Sequence, residues 1–162
     1  MLIFIDTEFT DFTAPELISI ALVTYDGLHE FYAELPVNHE RCNAFVMETV
    51  LPQLGYIAGA QCTADELVER LNLWLAQFKD CSPVICFDFD GDWQLFCHAL
   101  RYQLPEWLRG KNIFAYLDPQ ALQMYFIDHR LRDHHALNDA KANRHAFRKD
   151  LVRNPSLSRK SR

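Results

Sequence analysis

The sequence lacks long apolar runs, internal repeats, low-complexity tracts and any segment that reads as a linker. Although 49% of its 162 residues are hydrophobic, no run approaches the roughly 18 apolar residues of a membrane-spanning helix. A typical domain has about 100–200 residues. We therefore expect one globular domain over residues 1–152 and no association with a membrane.

Basic residues are also fewer than acidic ones. The sequence has 16 Lys and Arg and 22 Asp and Glu, which gives a formal net charge of −6. This balance argues against a broad basic surface for nucleic-acid phosphates, but it is compatible with an acidic metal site. Four basic residues fall within the last ten positions, and we expect residues 153–162 to form a flexible basic tail. They are Arg153, Arg159, Lys160 and Arg162.

The cysteines form no Cys-x-x-Cys pair, and there are five of them. An odd count without such a pair argues against a disulfide framework or a thiolate zinc site, so we expect reduced and mostly buried thiols. The first residues also lack the basic segment of a signal peptide. Together these features predict a cytoplasmic protein.

Hydrophobic periodicity predicts an α/β domain with a mixed sheet that is flanked by helices. The predicted strands are Leu2–Asp6, Leu17–Tyr25, Leu28–Leu35, Pro83–Phe87 and Ile113–Leu117. The predicted helices are Glu40–Val50, one that opens at a capping box over Thr63–Glu66, Asp92–Tyr102, Pro119–His129 and Asn138–Val152. Because an Asp-Gly hairpin signal links the second and third strands, the first three strands should form a meander.

Two carboxylates stand at the end of the first predicted strand, in the sequence Asp6-Thr7-Glu8. Successive side chains of a strand point to opposite faces, so Asp6 and Glu8 share a face if the strand continues through them. They are then close enough to share a cation. Two acids at a strand end are weak evidence alone, and other acids must converge on them.

A second acidic cluster follows the fourth predicted strand, with Asp88, Asp90 and Asp92 at alternate positions. Such a concentration of like charge is unfavourable unless a cation or solvent relieves it. An EF-hand is excluded, because glycine stands at the fourth position and Ala99 stands where the loop needs a glutamate. The four apolar residues before Asp88 also look like the nucleophile strand of a haloacid-dehalogenase-like phosphatase, with Asp88 as nucleophile and Asp90 as acid.

The third cluster, His134-His135 followed by Asp139, precedes the last predicted helix. Residues five apart on one helix point about 140° away from each other. His134 and Asp139 can therefore serve one site only if His134 lies in the loop before the helix. Asn138 as the N-cap residue makes that arrangement plausible.

In this order and spacing, the three clusters resemble those of the DEDDh group of DnaQ-like 3′-to-5′ exonucleases. The resemblance covers residues 2 to about 150. It is closest to small stand-alone bacterial exoribonuclease-like proteins, through Asp-Thr-Glu-Phe at residues 6–9 and Glu-Leu-Ile-Ser-Ile at residues 16–20. It implies a ribonuclease H-like fold with a five-stranded mixed sheet.

The resemblance also implies a metal-dependent exonuclease that acts on single-stranded 3′ ends or 3′ overhangs, with RNA favoured over DNA. Two Mg²⁺ or Mn²⁺ ions would be bridged by Asp6, with Glu8 and Asp139 on one ion and Asp92 on the other. His134 would be the general base. A homodimer is compatible with the sequence, which does not determine the oligomeric state.

Two departures from the family pattern affect this assignment. Asp88 stands where the family often has asparagine, so the second-metal ligand is Asp92, then Asp88, then Asp90 in order of preference. Residues 10 and 11 replace a frequent glycine turn beside the terminal nucleotide. Phe9 either stacks on a base or packs in the core, and a catalytically inactive nucleic-acid-binding module remains an alternative to the enzyme.

Overall fold

Five strands form one mixed sheet in the computed structural model, which describes residues 1–150. The strands are β1 (Leu2–Phe9), β2 (Leu17–Thr24), β3 (Glu30–Glu34), β4 (Val84–Phe87) and β5 (Arg109–Asn112). Their order is β3-β2-β1-β4-β5. The β1–β2 and β2–β3 pairs are antiparallel, whereas the β1–β4 and β4–β5 pairs are parallel. The sheet confirms the predicted α/β class and meander, and it is compatible with a ribonuclease H-like fold.

Four α-helices flank the sheet: α1 (Ala64–Ala76), α2 (Asp90–Ala99), α3 (Pro119–His129) and α4 (Ala136–Ala146). The predicted capping box opens α1, because the Thr63 side chain accepts from the Glu66 amide and the Glu66 carboxylate accepts from the Thr63 amide. The bounds of α3 agree with the prediction. The predicted tail, residues 153–162, lies outside the described residues.

The two sheet faces are covered differently. On one face, α1 and α2 pack large side chains such as Leu71 and Phe96 against Ile3 and Ile5 of β1. On the other face, α4 packs against β2 and β3 through small residues that include Ala136 and Ala140. Alanines spaced by four residues lie on one side of a helix, so the backbone of α4 approaches the sheet closely. This approach places the acidic residue between them, Asp139, beside β1.

The predicted helix over Glu40–Val50 is wrong as a single element. The chain forms a 3-10 turn at His39–Arg41 and a π-helical turn at Val46–Val50. Between them Cys42 is extended, and the side-chain carbonyl of Asn43 accepts the Val46 amide at 2.9 Å. Asparagine side chains compete in this way with backbone hydrogen bonds, and the competition starts a new helical segment here.

The sequence predicts the fifth strand at Ile113–Leu117, but the strand lies at Arg109–Asn112. A 3-10 turn over Phe114–Tyr116 occupies the predicted position. The Asn112 side chain accepts the Phe114 amide at 2.9 Å, which turns the chain away from the sheet. The actual strand is polar because it lies at the sheet edge, where charged residues are common. The polar composition of β5 therefore gives no hydrophobic pattern from which the strand could be predicted.

Smaller differences concern element ends. β3 is shorter than the predicted Leu28–Leu35. Helix α2 begins two residues earlier than Asp92, and it ends at Ala99 because residues 101 and 102 adopt positive φ angles of 53° and 57°. Helix α4 begins at Ala136 and ends at Ala146, and Val152, the predicted end, lies outside the described residues.

All five cysteines are free thiols, as predicted, and Cys62, Cys86 and Cys97 are buried. Within residues 1–150, no helix is both long enough and apolar enough to cross a lipid bilayer.

Candidate metal centre

The first two acids lie on the central strand. Strand β1 extends to Phe9, so the alternation of side chains persists through Asp6 and Glu8, and they share a face as the sequence predicts. Asp6 pairs with Ala21 of β2, and Glu8 pairs with Ser19. Asp6 is partly buried, and Glu8 is almost fully buried. The backbone at these two carboxylates is therefore held by pairing with β2, while β4 pairs with the preceding residues of β1, up to Phe4.

The second acidic cluster divides between two locations. Asp92 lies in the first turn of α2, is buried, and accepts hydrogen bonds from the Thr7 hydroxyl at 2.6 Å and the Thr7 amide at 3.2 Å. Asp90 is exposed, and its carboxylate accepts a hydrogen bond from the side-chain amide of Asn112 at 2.7 Å. Asp92 is thus tied to β1, as preferred from the sequence, whereas Asp90 is engaged elsewhere.

Helix α4 supplies a further acid, Asp139. Its N-cap residue is His135 and not Asn138 as predicted, so the helix begins earlier in the chain. The His135 amide donates to Asp139 Oδ2 at 2.9 Å, which fixes that carboxylate over the first turn. His134 still lies in the loop before the helix, and the condition for His134 and Asp139 to serve one site is met.

Asn143 is a further site residue that the sequence reasoning missed. It lies one turn after Asp139 on α4, and its side-chain amide donates to Asp88 Oδ1 at 2.8 Å. The four-residue spacing from Asp139 is a signal that could have indicated it. Through this bond, α4 holds Asp88 as well as contributing Asp139.

These elements bring five carboxylates into two groups that share one member. One oxygen from each of Asp6, Glu8 and Asp139 lies within 4.8 Å of the other two, and the same is true of Asp6, Asp88 and Asp92. The predicted ligands Asp6, Glu8, Asp92 and Asp139 are therefore together, and Asp88 joins them. We call these two groups the acid cluster.

Burial and mutual repulsion raise the pKa values of the acid cluster. Burial, followed by the charges of Asp139 and Asp92, raises the pKa of Glu8 to about 9. Burial is also the largest cause for Asp92 and Asp139, each with a pKa raised to about 7, and it raises that of Asp6 well above its usual range. Without a cation, the acid cluster therefore retains protons near neutral pH.

The acid cluster lies in a cavity of about 740 Å³. Among the described residues, no lysine or arginine lines this cavity, so no fixed positive side chain offsets the carboxylates there. His134 lines the cavity with its side chain 43% exposed, and its ring meets the Phe45 ring edge to face at 4.8 Å. This exposure leaves the imidazole accessible to a ligand in the cavity.

The neighbouring histidine has a different environment. The His135 ring is buried and stacks on Tyr32 with ring centroids 4.9 Å apart. Burial lowers the pKa of His135 and so favours the neutral form of the ring. His135 therefore packs in the interior, while His134 faces the cavity.

Phenylalanine rings line the same cavity beside the acid cluster. Phe9 contacts Phe12 at 5.1 Å and Phe89 at 6.2 Å between ring centroids. Phe12 is 75% exposed and Phe89 is 46% exposed. Phe9 thus lies outside the main core and forms part of the cavity wall, where it contacts the exposed rings of Phe12 and Phe89. Such a wall can bind a planar, apolar group.

No protein-family model matches the chain. A search of curated proteins likewise found no match.

Proposed function

We propose that this protein is a metal-dependent 3′-to-5′ exonuclease that releases nucleoside 5′-monophosphates. Its substrates would be the 3′ ends of single-stranded nucleic acid and 3′ overhangs, with RNA favoured over DNA. The observation that carries the proposal is the acid cluster, whose two sets of three carboxylates share Asp6 and line the same cavity as His134. The resemblance of the three motifs to those of DEDDh exonucleases supports the reaction type.

Two Mg²⁺ or Mn²⁺ ions fit this donor set. Hard divalent cations prefer carboxylate oxygens, and they would supply the positive charge that the side chains lining the cavity do not. Asp6 would contact both ions, Glu8 and Asp139 would hold one, and Asp92 with Asp88 would hold the other. Such ions stabilise the negative charge that develops on the attacking and leaving oxygens of a phosphodiester.

His134 would act as the general base. It would accept a proton from the attacking water as the water oxygen bonds to the terminal phosphorus. The bond between that phosphorus and the 3′ oxygen of the preceding nucleotide would break, and this oxygen would take a proton from solvent while His134 returns its own proton to solvent. The products are a nucleoside 5′-monophosphate and a strand with a new 3′-hydroxyl.

The cavity size and its aromatic wall suit a nucleotide. Sites for small ligands typically have volumes of about 300–1,000 Å³, a range that includes this cavity. Phe9, Phe12 and Phe89 would stack on bases, which binds single strands with little sequence preference. This mode of binding also accommodates a protein with a net negative charge, because the affinity need not come from a basic surface.

Neither alternative has comparable support. A haloacid-dehalogenase-like phosphatase needs Asp88 and Asp90 at one site, but the Asp90 carboxylate binds Asn112 and is not part of the acid cluster. A catalytically inactive binding module requires neither the His134 imidazole nor the acid cluster, which line the same cavity.

The test is digestion of 5′-labelled RNA and DNA oligonucleotides of matched sequence, with Mn²⁺ or with a chelator. We expect a ladder of products shortened from the 3′ end, release of 5′-monophosphates, and faster digestion of RNA. A 3′-phosphate or a circular strand should block the reaction. Cleavage of the circle at the linear rate would contradict the exonuclease assignment, and strand binding without hydrolysis would indicate a binding module.

The proposal also places the protein in the cytoplasm, because cysteines that are odd in number and lack a Cys-x-x-Cys pair are typical of a reducing compartment. Fractionation of cells that express the tagged protein would test this location. Sedimentation would measure whether it forms a homodimer.

A further inference from the structure

The side-chain amide of Gln53 links two segments that are 80 residues apart in the chain. Its Nε2 donates to the carbonyl oxygens of Asp133 at 2.8 Å and of His134 at 3.0 Å. It also donates to the Thr49 carbonyl at 3.0 Å. Because all three neighbours are acceptors, the nitrogen and not the oxygen of the amide must face them. Gln53 therefore ties the π-helical turn to the loop before α4.

The two distant carbonyl groups are the ones that flank the Cα atom of His134. One belongs to the peptide unit that precedes His134, and the other belongs to the unit that follows it. A side chain that holds both units fixes the direction in which the residue between them projects. Gln53 thus constrains the position of the His134 side chain without contacting its ring.

The backbone of His134 needs such a constraint. Its φ angle is 61°, in the left-handed region that residues other than glycine seldom adopt. Conformations of this kind persist where the surrounding structure holds them. The Gln53 hydrogen bonds on one side, and the Phe45 ring against the imidazole, provide that support.

We propose that Gln53 is a positioning residue that holds His134 toward the acid cluster. This inference rests on the proposed function, in which His134 is the general base. Gln53 does not line the cavity, so it would act only through the loop. The carboxylates stand on β1, directly after β4, at the start of α2 and on α4. Asp139 accepts from the His135 amide, which belongs to the same peptide unit as the His134 carbonyl, but the backbone of Asp139 is held within α4. Loss of the Gln53 bonds should therefore leave metal binding intact.

The first experiment compares Gln53→Met, which keeps the length of the side chain but removes the donor, with Gln103→Met as a matched control. Gln103 is an exposed glutamine in the turn after α2 and does not line the cavity. For Gln53→Met we expect kcat to fall about 10- to 100-fold, as for a displaced catalytic group. KM and the stoichiometry of Mn²⁺ binding should be unchanged. An unchanged kcat would overturn the proposal.

The second experiment repeats Gln53→Met in a His134→Ala background. If Gln53 acts through His134, its replacement should have no further effect there, because the residue that it positions is absent. A general structural role would instead lower kcat by the same factor in both backgrounds. Such additivity would contradict the positioning role.

A third measurement separates this inference from the proposed function. The His135 amide is hydrogen-bonded to Asp139, and its hydrogen exchange reports on the loop in the absence of any substrate. In Gln53→Met we expect faster exchange at His135 and unchanged exchange in β1. If the parent protein hydrolyses no oligonucleotide, the proposed function fails, and the exchange rate at His135 still decides whether Gln53 holds the loop. Unchanged exchange would reject that role.

Discussion

Each residue of the acid cluster repels the others, so removing one charge should have opposite effects on activity and stability. We expect Asp6→Asn and Asp139→Asn to lose nearly all hydrolysis, because each removes a proposed metal ligand. Without divalent cations both variants should be more stable than the parent at pH 8, because each removes a buried carboxylate that its neighbours repel. For Asp139 the gain should be on the order of a few kcal/mol, given about 1.4 kcal/mol for each unit of pKa shift. Activity assays and thermal unfolding would measure the two effects.

A suitable control is Asp90→Asn, since Asp90 is exposed and lies outside the acid cluster. This variant should keep the activity of the parent within a few-fold. Full activity with Mn²⁺ in either the Asp6 or the Asp139 variant would reject the assignment of these two residues as ligands.

The adjacent histidines allow another comparison at the residue scale. His134→Ala should lose most of the roughly 10²–10⁴-fold that a positioned base contributes, with little change in stability, because the ring is half-exposed. His135→Ala should keep its rate within a few-fold but unfold about 1–3 kcal/mol more easily, because it removes a buried ring that stacks on Tyr32. Single-turnover rates and denaturant unfolding would separate the two outcomes. If the single-turnover rate fell strongly in His135→Ala and stayed normal in His134→Ala, the general base would be His135 instead of His134.

Local spacing made part of the site predictable. The alternation along β1 indicates that Asp6 and Glu8 share a face, and the position of His134 before a helix follows from the sequence. The donor from Asn143 to Asp88, and that from Gln53 to the His134 loop, join residues that are 55 and about 80 positions apart. No local pattern encodes such pairings, because they depend on how the helices pack on the sheet.

Among the elements, α1 offers a test that is independent of the site. Thr63→Ala removes the capping bond to the Glu66 amide, and loss of such a cap costs about 1 kcal/mol. We expect a lower midpoint of urea unfolding and an unchanged rate of hydrolysis, because α1 supplies no residue of the acid cluster. A large loss of activity in this variant would mean that α1 influences the site.

Elements were predictable where hydrophobic pattern and end signals agreed, as they do for α1 and α3. They were not predictable where one side chain redirected the backbone. Asn43 starts a helical segment within the predicted helix of residues 40–50, and Asn112 ends β5 just before an apolar run that resembles a strand. Strand β5 itself could not be predicted, because an edge strand needs no alternation of apolar residues and its sequence shows none.

At the scale of the whole molecule, the acid cluster should make stability depend on pH. The folded-state pKa values of Glu8, Asp92 and Asp139 are raised above those of the unfolded chain, so folding favours their protonated forms. This contribution is complete below about pH 4. It is lost as pH rises through about 7 for Asp92 and Asp139 and about 9 for Glu8.

The corresponding measurement is thermal unfolding in chelator between pH 5 and pH 9. The stability advantage of Asp139→Asn over the parent should grow from pH 5 to about pH 7 and level off above it, because the Asp139 carboxyl of the parent ionises in the folded state around pH 7. An advantage that is constant with pH would show that Asp139 does not titrate in this interval.

Cation binding should release protons from the same carboxylates, because metal ligands bind as the deprotonated form. At pH 7 we expect Mn²⁺ titrations to give apparent enthalpies that depend on the ionisation enthalpy of the buffer. Asp139→Asn should release fewer protons than the parent. Enthalpies that are independent of the buffer would contradict the raised pKa values.

The central position of β1 has a further consequence. β1 lies between β2 and β4, and the opening free energies of interior strands approach that of global unfolding. Local fluctuations would therefore not open the strand that carries Asp6, and an ion bound there would be linked to global unfolding. Its binding free energy would add in full to the free energy of unfolding. Mutants with no turnover could then still be ranked by affinity, from the displacement of their denaturation curves with cation concentration.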